Sequence, residues 1–432
     1  MNRHRLSVTV ATVAIAILVA LPISTVVAAP VPGVAIAPAA AVSIPTSLED
    51  AIAAAIANNA EIVTAMRRVD VARAQRRGIA LAPLQLQPSL SLTPDVPGGI
   101  GSLQTASAIV SQSFAQAGFL AASRASADAT IRAAEYGIEV DKRDLALRVV
   151  SAYFAVAGAQ ATIDVDRTNV SASQEFVATA SARERAGSIG AFEVTRATIE
   201  LRRVQADLAR ATATRDETRA ALNMLLGREP GTVTVVTPTR TDDAAIDGAS
   251  ALASDPATMQ FDAQIAAQRE RARASATARK PALTLGVGYQ IARGTRTNAI
   301  FGAPVVTSSL AIPLFDRGSI AGAVAEANAE ANVLEAQRTG RSRVVRADLA
   351  AALATIASAR DRLAFATTTR EQADAALHVA QYGFRRGALS ALDVLAAKNA
   401  AAIARGDERQ VANDLAAGRA RLHVLLGVPR SS

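Results

Sequence analysis

The feature that most constrains this chain is an internal repeat at an offset of 200 residues. The segment from Arg385 to Gly427 recurs, without a gap, from Arg185 to Gly227. Both copies begin with Arg-x-Gly and end with Leu-Leu-Gly. A repeat of this length is one supersecondary unit used twice. Its pattern predicts a helix, a sharp turn at Gly187 or Gly387, and a second helix that stops at a glycine.

The repeat divides the chain into two halves of the same predicted build, residues 47–227 and residues 250–428. Each half is predicted to contain helices, then a β-hairpin, then a long helical hairpin. The β-hairpins are predicted at about residues 84–114 and 282–314, and the helical hairpins turn near residues 187 and 387.

The segments outside the two halves have simpler interpretations. Residues 29–46 are rich in Pro and Ala, which is typical of an extended linker, and residues 228–249 predict a lateral, or equatorial, linker. Residues 1–28 predict a secretory signal peptide, because positive residues precede the apolar run from Leu6 to Leu21. No later apolar run reaches the roughly 20 residues that a spanning helix needs, so any membrane crossing must use strands.

Four segments alternate apolar and polar residues with a period of two. In the third, for example, Leu283, Leu285 and Val287 alternate with Thr284 and Gly286. Strands of about ten residues cross a bilayer when tilted, and this alternation suits a wall between lipid and water. An ordinary hairpin with one face on a soluble core is the alternative.

Four strands cannot close a barrel by themselves. An open edge in lipid leaves backbone groups unpaired, at several kcal/mol each. The smallest membrane barrels use about eight strands. If these strands span a membrane, several chains must therefore share one barrel, and the physical argument allows either two chains or three.

Two long proline-free segments, at about residues 116–185 and 319–385, predict helices about 100 Å long. In the first, Leu145, Val149 and Val156 belong to a coiled-coil seam. A single hairpin of this length buries too little surface to be stable. The economical arrangement is a hollow helical cylinder that continues a β-barrel.

Composition excludes several functional classes. The chain has no Cys, so it has no disulfide and no thiolate site. After the signal peptide only His378 and His423 remain, each without an acidic cluster, and no metal site or cofactor is expected. No nucleophile–base pair is visible, so the chain is predicted not to be an enzyme. The net charge of +8 comes mostly from Arg along the predicted helices, a pattern that does not predict nucleic-acid binding.

The order and duplication of several motifs resemble the TolC-like outer-membrane efflux proteins. The chain shares with them the Ser47-Leu48-Glu49-Asp50-Ala51 opening, a strand pair ending at Phe114, and the turn Ile312-Pro313-Leu314-Phe315-Asp316-Arg317-Gly318. It also shares the glycine tips, followed by Val194 and Val394, and the two Leu-Leu-Gly endings. The resemblance covers about residues 47 to 428.

This resemblance implies an α+β membrane protein: a homotrimer with a twelve-stranded β-barrel, four strands per chain, continued by a periplasmic α-helical barrel of coiled-coil hairpins. It implies a location in the outer membrane of a Gram-negative bacterium, extending into the periplasm. The implied function is an export duct of a tripartite efflux or type I secretion system. Such a duct carries substrate passively from a periplasmic adaptor and an inner-membrane pump, of RND or ABC type, to the outside. Cargo and pump type stay open.

The resemblance also assigns roles to the hairpin tips. The residues expected to face the adaptor are Arg185, Gly187, Val194, Arg385, Gly387 and Val394. Asp393 matches an aspartate that narrows the periplasmic aperture in this family and makes it cation-sensitive, and Glu193 is its counterpart in the first copy. A second acidic position of some members is Ala396 here, which departs from a double ring of carboxylates.

The same residues allow simpler interpretations. Asp393 and Glu193 lie where a side chain caps the start of a helix, and the tip arginines lie where cations satisfy a helix C-terminus. For the whole chain, the alternative is a trimeric structural coiled-coil surface protein, such as an adhesin-like stalk, although a stalk needs no alternating strands. A soluble enzyme or binding protein is disfavoured, because the chain lacks an aromatic-rich core and a convergent polar site.

Overall fold

The structure is a computed structural model that describes residues 47–80, 84–91, 104–228, 255–293 and 300–427. All of these residues belong to one compact unit. The predicted signal peptide, the linker after it and nearly all of the predicted lateral linker lie outside the described residues.

Two short helices open the first half. Helix α1 (Leu48–Asn58) begins after Ser47, whose side chain accepts a hydrogen bond from the backbone N–H of Asp50 at 3.1 Å. Helix α2 (Ala60–Gly78) begins after Asn59, whose side chain accepts a backbone hydrogen bond of 2.8 Å in the first turn. Ser47 thus caps α1, and Asn59, which has extended backbone angles, separates the two helices.

Each half ends in a long helical hairpin. The helices are α3 (Phe119–Arg185) and α4 (Ala191–Leu225) in the first half, and α6 (Ser319–Arg385) and α7 (Ala391–Leu426) in the second. Helices α3 and α6 each contain 67 residues, which is about 100 Å, as predicted. Helix α3 begins three residues later than predicted, because Gly118 at its N-cap has a left-handed backbone with φ 92°.

The predicted seam of α3 is confirmed, since Leu145, Val149, Val156 and Ile163 are each 2% exposed or less. With Leu48 of α1 and other apolar residues of α4 and α7, this seam forms the main core. Helix α3 also contains an 18-residue stretch that could cross a bilayer by length and composition, which the sequence analysis did not anticipate. More than half of that stretch is buried inside the protein, as expected for a core helix.

Helix α5 (Pro256–Ala276) opens the second half and runs into a 3-10 turn, Thr277–Arg279. Its start is set by Asp255, whose side chain caps it. Asp255 is fully buried and forms an ion pair with Arg143 of α3. Arg143 also donates to the backbone oxygen of Leu425 in α7 at 2.6 Å, so this pair ties the cap of α5 to both hairpins.

Four strands form one antiparallel sheet in the order β1-β2-β3-β4: β1 (Gln85–Ser91), β2 (Gln104–Phe114), β3 (Ala282–Arg293) and β4 (Ile300–Ala311). The predicted bounds of the last strand were wrong. The sequence predicts a hairpin that reaches about residue 314, but β4 pairs with β3 only from Ile300 to Ala311. The pairing partner fixes these bounds, because β3 begins at Ala282, opposite Ala311, and ends at Arg293, opposite Ile300.

The register gives the sheet one apolar face and one polar face. The apolar face runs across all four strands and includes Leu86, Val110, Val287 and Val306. The polar face includes Gln85, Ser111, Gly286 and Thr307. Apart from Arg293 at one end, the four strands contain no charged residue.

Candidate functional site at the hairpin tips

Both helical hairpins turn through the same backbone motif. At the first tip, the N–H of Gly187 donates to the oxygen of Glu184 and the N–H of Ser188 donates to the oxygen of Arg183. The second tip repeats both bonds from Gly387 and Ala388. This is the Schellman motif, which requires a left-handed residue. The φ angles of 69° at Gly187 and 75° at Gly387 confirm the predicted sharp turns and show that both are left-handed.

At the second tip, Asp393 forms a capping box with Ser390. The backbone N–H of Asp393 donates to the Ser390 hydroxyl at 3.2 Å. In return, the Oδ2 of Asp393 accepts from the Ser390 backbone N–H at 2.8 Å and from its hydroxyl at 2.7 Å. The Ser390 hydroxyl and then its N–H lower the pKa of Asp393. The capping interpretation is therefore confirmed, and it leaves a charged, exposed carboxylate at the tip.

The first tip has no equivalent side-chain cap. Gly190 stands at the N-cap of α4 and offers no side chain, while Glu193 lies half-buried in the first turn. The two valines also differ, since Val194 is half-buried and Val394 is only 1% exposed. Val394 therefore supports the second tip from beneath.

The tip arginines contact their own helices. The Nε of Arg185 donates to the Ser181 oxygen at 3.3 Å, which satisfies a carbonyl near the end of α3. The guanidinium of Arg386 lies 4.5 Å from the centre of the Tyr382 ring. Arg385 is exposed in the last turn of α6. These positions match the helix-terminus interpretation and keep the charges at the surface.

The two hairpins meet at a cluster that the sequence analysis missed. Phe384, near the end of α6, is 4% exposed. Its ring centre lies 5.7 Å from the ring centre of Phe176 in α3. The guanidinium of Arg183, also in α3, lies 4.2 Å from the centre of the Phe384 ring. A cation over an aromatic face contributes about 0.5–2 kcal/mol. The contact joins the second tip to the first hairpin.

Lys398 of α7 extends this cluster. It is 9% exposed, its Nζ donates to the Ser173 hydroxyl of α3 at 3.0 Å, and it lies 5.8 Å from the Phe176 ring. Burial lowers the pKa of Lys398 to about 8, and the charges of Glu200 and Glu175 oppose that shift. Below, the tip cluster means Ser173, Phe176, Arg183, Phe384 and Lys398.

A cavity of about 380 Å³ adjoins the tip cluster between α3, α4 and α7. Asp166, Asp207, Arg203 and Lys398 contribute to its lining. Burial, and then the charge of Asp207, raise the pKa of Asp166. Arg203 donates to Asp207 at 3.3 Å, so opposite charges are already paired along the wall. Among the described residues no group of three or more potential ligands could hold a metal ion.

A comparison of the two copies of the repeat, position by position, points to residues of the tip cluster. Position 384 is Phe where the first copy has Glu184, and position 398 is Lys where the first copy has Thr198. The copies therefore differ where one hairpin contacts the other. Periodicity inside one hairpin cannot reveal such a contact, but a position-by-position comparison of the copies points to it.

An amphipathic four-stranded sheet that runs directly into 67-residue helices defines an outer-membrane channel of the mixed strand-and-helix class. The family model described as outer membrane efflux protein matches residues 51–228 and 249–428. The chain belongs to this family, as its motifs predicted. It is therefore an outer-membrane protein that extends into the periplasm, and its family is one of channels.

Solved structures share the fold. VceC, an outer membrane protein of Vibrio cholerae, superposes with a TM-score of 0.75 at 18% identity, over 88% of this chain and 96% of that one. The outer membrane channel MtrE of Neisseria gonorrhoeae, in its open state, gives 0.72 at 20% identity, over 88% of each chain. The CmeC outer membrane channel of Campylobacter jejuni gives 0.74 at 15%, over 88% and 85%. No curated protein matches the sequence at a significant level.

Proposed function

We propose that this chain is the outer-membrane export duct of a tripartite efflux or type I secretion system. It carries substrate passively from a periplasmic adaptor and an inner-membrane pump, of RND or ABC type, to the outside. The observation that carries the proposal is the sheet. Apart from Arg293 at one end, its strands contain no charged residue. They have one apolar face, and they continue without a domain break into the long helices.

The open edges of the sheet support a shared barrel. Strands β1 and β4 each have one neighbour in the described chain. Unpaired edges cost several kcal/mol per backbone group in lipid, so β4 of one copy pairs with β1 of the next. Three copies give a twelve-stranded barrel, and the family resemblance favours this homotrimer over a dimer. The long helices of the three copies then form the α-helical barrel.

The tips support contact with the adaptor. Arg185, Gly187, Arg385 and Gly387 are exposed at the ends of the hairpins, where α3 and α6 end after starting beside the sheet. Val194 contributes a half-buried apolar surface, and Val394 holds its turn in place. Three Asp393 carboxylates around a three-fold axis attract cations at the aperture, with Glu193 adding charge nearby.

The assembly is tested by isolating outer membranes and running the protein unheated on SDS gels. We expect an SDS-resistant trimer in the outer-membrane fraction that becomes a monomer on boiling. Recovery as a soluble monomer would contradict the proposal. A trimer by itself does not distinguish a duct from a surface stalk, so transport needs its own measurement.

Transport is tested by deleting the protein and measuring the retention of exported compounds inside the cell. A duct predicts higher retention of at least one compound, restored by the wild-type chain supplied in trans. A stalk predicts unchanged retention. Unchanged retention across drugs, metal ions and secreted proteins, with the trimer present in the wild type, would overturn the export function and leave a structural one.

A further inference from the structure

The segment between β4 and α6 places large apolar side chains in solvent. We name residues Ile312 to Phe315 the junction segment. Leu314 is 79% exposed and Phe315 is 94% exposed, the two highest values among large apolar side chains in the described part of the chain. Leaving each of them in water forgoes roughly 1.5–3 kcal/mol of burial. A connection between a strand and a helix needs no such side chains.

The junction segment continues the apolar face of the sheet. It follows β4 at the end where Ala282 pairs with Ala311 and Phe114 pairs with Leu283. The last large apolar residue of β4, Leu310, pairs with Leu283 and is 59% exposed. The exposed apolar surface therefore extends from the strands onto the junction segment at the end of the sheet that leads into the helices.

Charged residues border the apolar surface at this end of the sheet. Arg279 and Lys280 precede β3, separated from it by Pro281, and Asp316 and Arg317 directly follow the junction segment. The strand β3 is 12 residues long. That is about 40 Å along the strand, or about 30 Å across a bilayer at a tilt near 40°, which is the thickness of the hydrocarbon core. The first basic residues thus lie at the depth where headgroups begin.

The basic side of this boundary is available for a ligand. Asp316 is already committed, because its carboxylate accepts from the N–H groups of Gly318 and Ile320, each at 3.1 Å. These two bonds, and further the charge of Arg279, lower the pKa of Asp316. Arg317 is exposed and has a left-handed backbone, φ 52°.

We propose that the junction segment is a lipid anchor of the periplasmic leaflet, in which Leu314 and Phe315 insert among acyl chains while Arg279 and Arg317 bind phospholipid phosphate. The inference rests on the proposed membrane-spanning role of the sheet. Lipid fits better than a second protein copy, because the surface is continuous with the apolar face of the strands and is bordered by positive charge.

The absence of Trp from this chain makes the test direct. Phe315→Trp introduces a single fluorophore, which is read in vesicles of phosphatidylethanolamine and phosphatidylglycerol with brominated acyl chains. Tyr289→Trp on the apolar face of β3 is the membrane reference. Phe365→Trp, on α6 and 74% exposed, is the aqueous reference. We expect the Phe315→Trp and Tyr289→Trp proteins to lose at least half of their emission, and the Phe365→Trp protein almost none.

The two reference variants distinguish a failure of the proposed lipid anchor from a failure of the proposed membrane-spanning sheet. Quenching of the Tyr289→Trp protein without quenching of the Phe315→Trp protein overturns the anchor and leaves the membrane-spanning sheet intact. Quenching of neither overturns both. Adding Arg317→Glu to Phe315→Trp should reduce the quenching in vesicles, since a carboxylate cannot bind phosphate; undiminished quenching overturns the phosphate contact.

Discussion

Asp393 combines a confirmed helix cap with a proposed charge at the aperture, and its partner Ser390 lets the two be separated. Ser390→Ala breaks the capping box but keeps the carboxylate, and we expect a loss of about 1 kcal/mol in stability. Asp393→Asn removes the charge and keeps a polar side chain of the same size. In planar bilayers we expect Asp393→Asn to lower cation selectivity several-fold, whereas Ser390→Ala conducts like the wild type.

Unchanged cation selectivity in Asp393→Asn would mean that Asp393 acts only as a helix cap. If both variants conduct like the wild type while their melting temperatures fall, the carboxylate has no role in conduction. Because hydrogen bonds lower the pKa of Asp393, its contribution to the cap is complete above the unfolded-state pKa of the carboxyl. That contribution is lost only as pH falls through the lowered, folded-state value, so measurements near neutral pH report a fully charged side chain.

Lys398 predicts a dependence of stability on alkaline pH. Its pKa is about 8 in the folded chain, whereas the ordinary pKa of a lysine is 10.5. Between these two values the folded state binds fewer protons than the unfolded state, so stability rises with pH across this window and is flat below it. The gain is at most about 3 kcal/mol, since one pKa unit corresponds to about 1.4 kcal/mol.

Two substitutions at Lys398 test this. Lys398→Met keeps an unbranched apolar stem and removes the buried charge, so we expect a higher melting temperature near pH 7 and no rise between pH 8 and pH 10.5. Lys398→Arg keeps the charge at every pH and should be less stable than the wild type throughout. Circular dichroism melts of the detergent-purified protein measure both. Parallel curves for the wild type and Lys398→Met would show that the amine is not buried.

The contact between the hairpins depends on one aromatic residue of α6. Phe384→Ala removes a side chain that is 4% exposed, so we expect a loss of about 3–5 kcal/mol in stability. Phe365→Ala, on the same helix and 74% exposed, should change stability by less than about 0.5 kcal/mol. Thermal unfolding of the two variants gives the comparison. Equal losses would mean that Phe384 does not hold the hairpins together.

The long helices were the most predictable elements. The bounds of α6, from Ser319 to Arg385, follow from the absence of proline and from the glycines at both ends. Strand β4 was misplaced by several residues, because its alternation continues past Ala311 into the junction segment. Alternation records which face a residue occupies, but only the hydrogen-bonded partner determines where a strand stops.

At the hairpin tips, the local turns could be predicted from the sequence, whereas the contacts between the two hairpins could not. The turns at Gly187 and Gly387 were predictable, since a left-handed residue after a helix favours glycine. The meeting of Phe176 with Phe384 was not, because the two residues are 208 positions apart and belong to hairpins with separate periodicities. The burial of Lys398 could not be predicted for the same reason, because its hydrogen-bond partner, the Ser173 hydroxyl, lies on the other hairpin.

In the proposed trimer the two ends of the duct differ in charge. The polar face of the sheet carries Ser, Thr and Gln side chains, and the described strands place no charged side chain there. The tips carry Asp393, Glu193 and several arginines. Charge discrimination would therefore arise at the periplasmic end, and the barrel would pass solutes of either sign.

Neighbouring residues of β4 test the assignment of the two faces. Val306 lies on the apolar face and Thr307 on the polar face, at the same depth, and both are exposed in the single chain. Val306→Arg places a charge in lipid, at a cost of about 2–4 kcal/mol near the midplane for each copy. We expect far less SDS-resistant trimer in the outer membrane. Thr307→Arg faces water and should assemble normally, while shifting the conductance of the barrel toward anions.

The pair also distinguishes a shared barrel from a sheet that packs on a soluble core. On a soluble core the apolar face would be the buried one, so Val306→Arg would unfold the chain instead of leaving a folded monomer. A shared barrel predicts folded helices by circular dichroism in both variants, because the main core joins both hairpins within one chain and does not include Val306. Loss of helical signal in Val306→Arg, or equal assembly of both variants, would contradict the lipid-facing assignment.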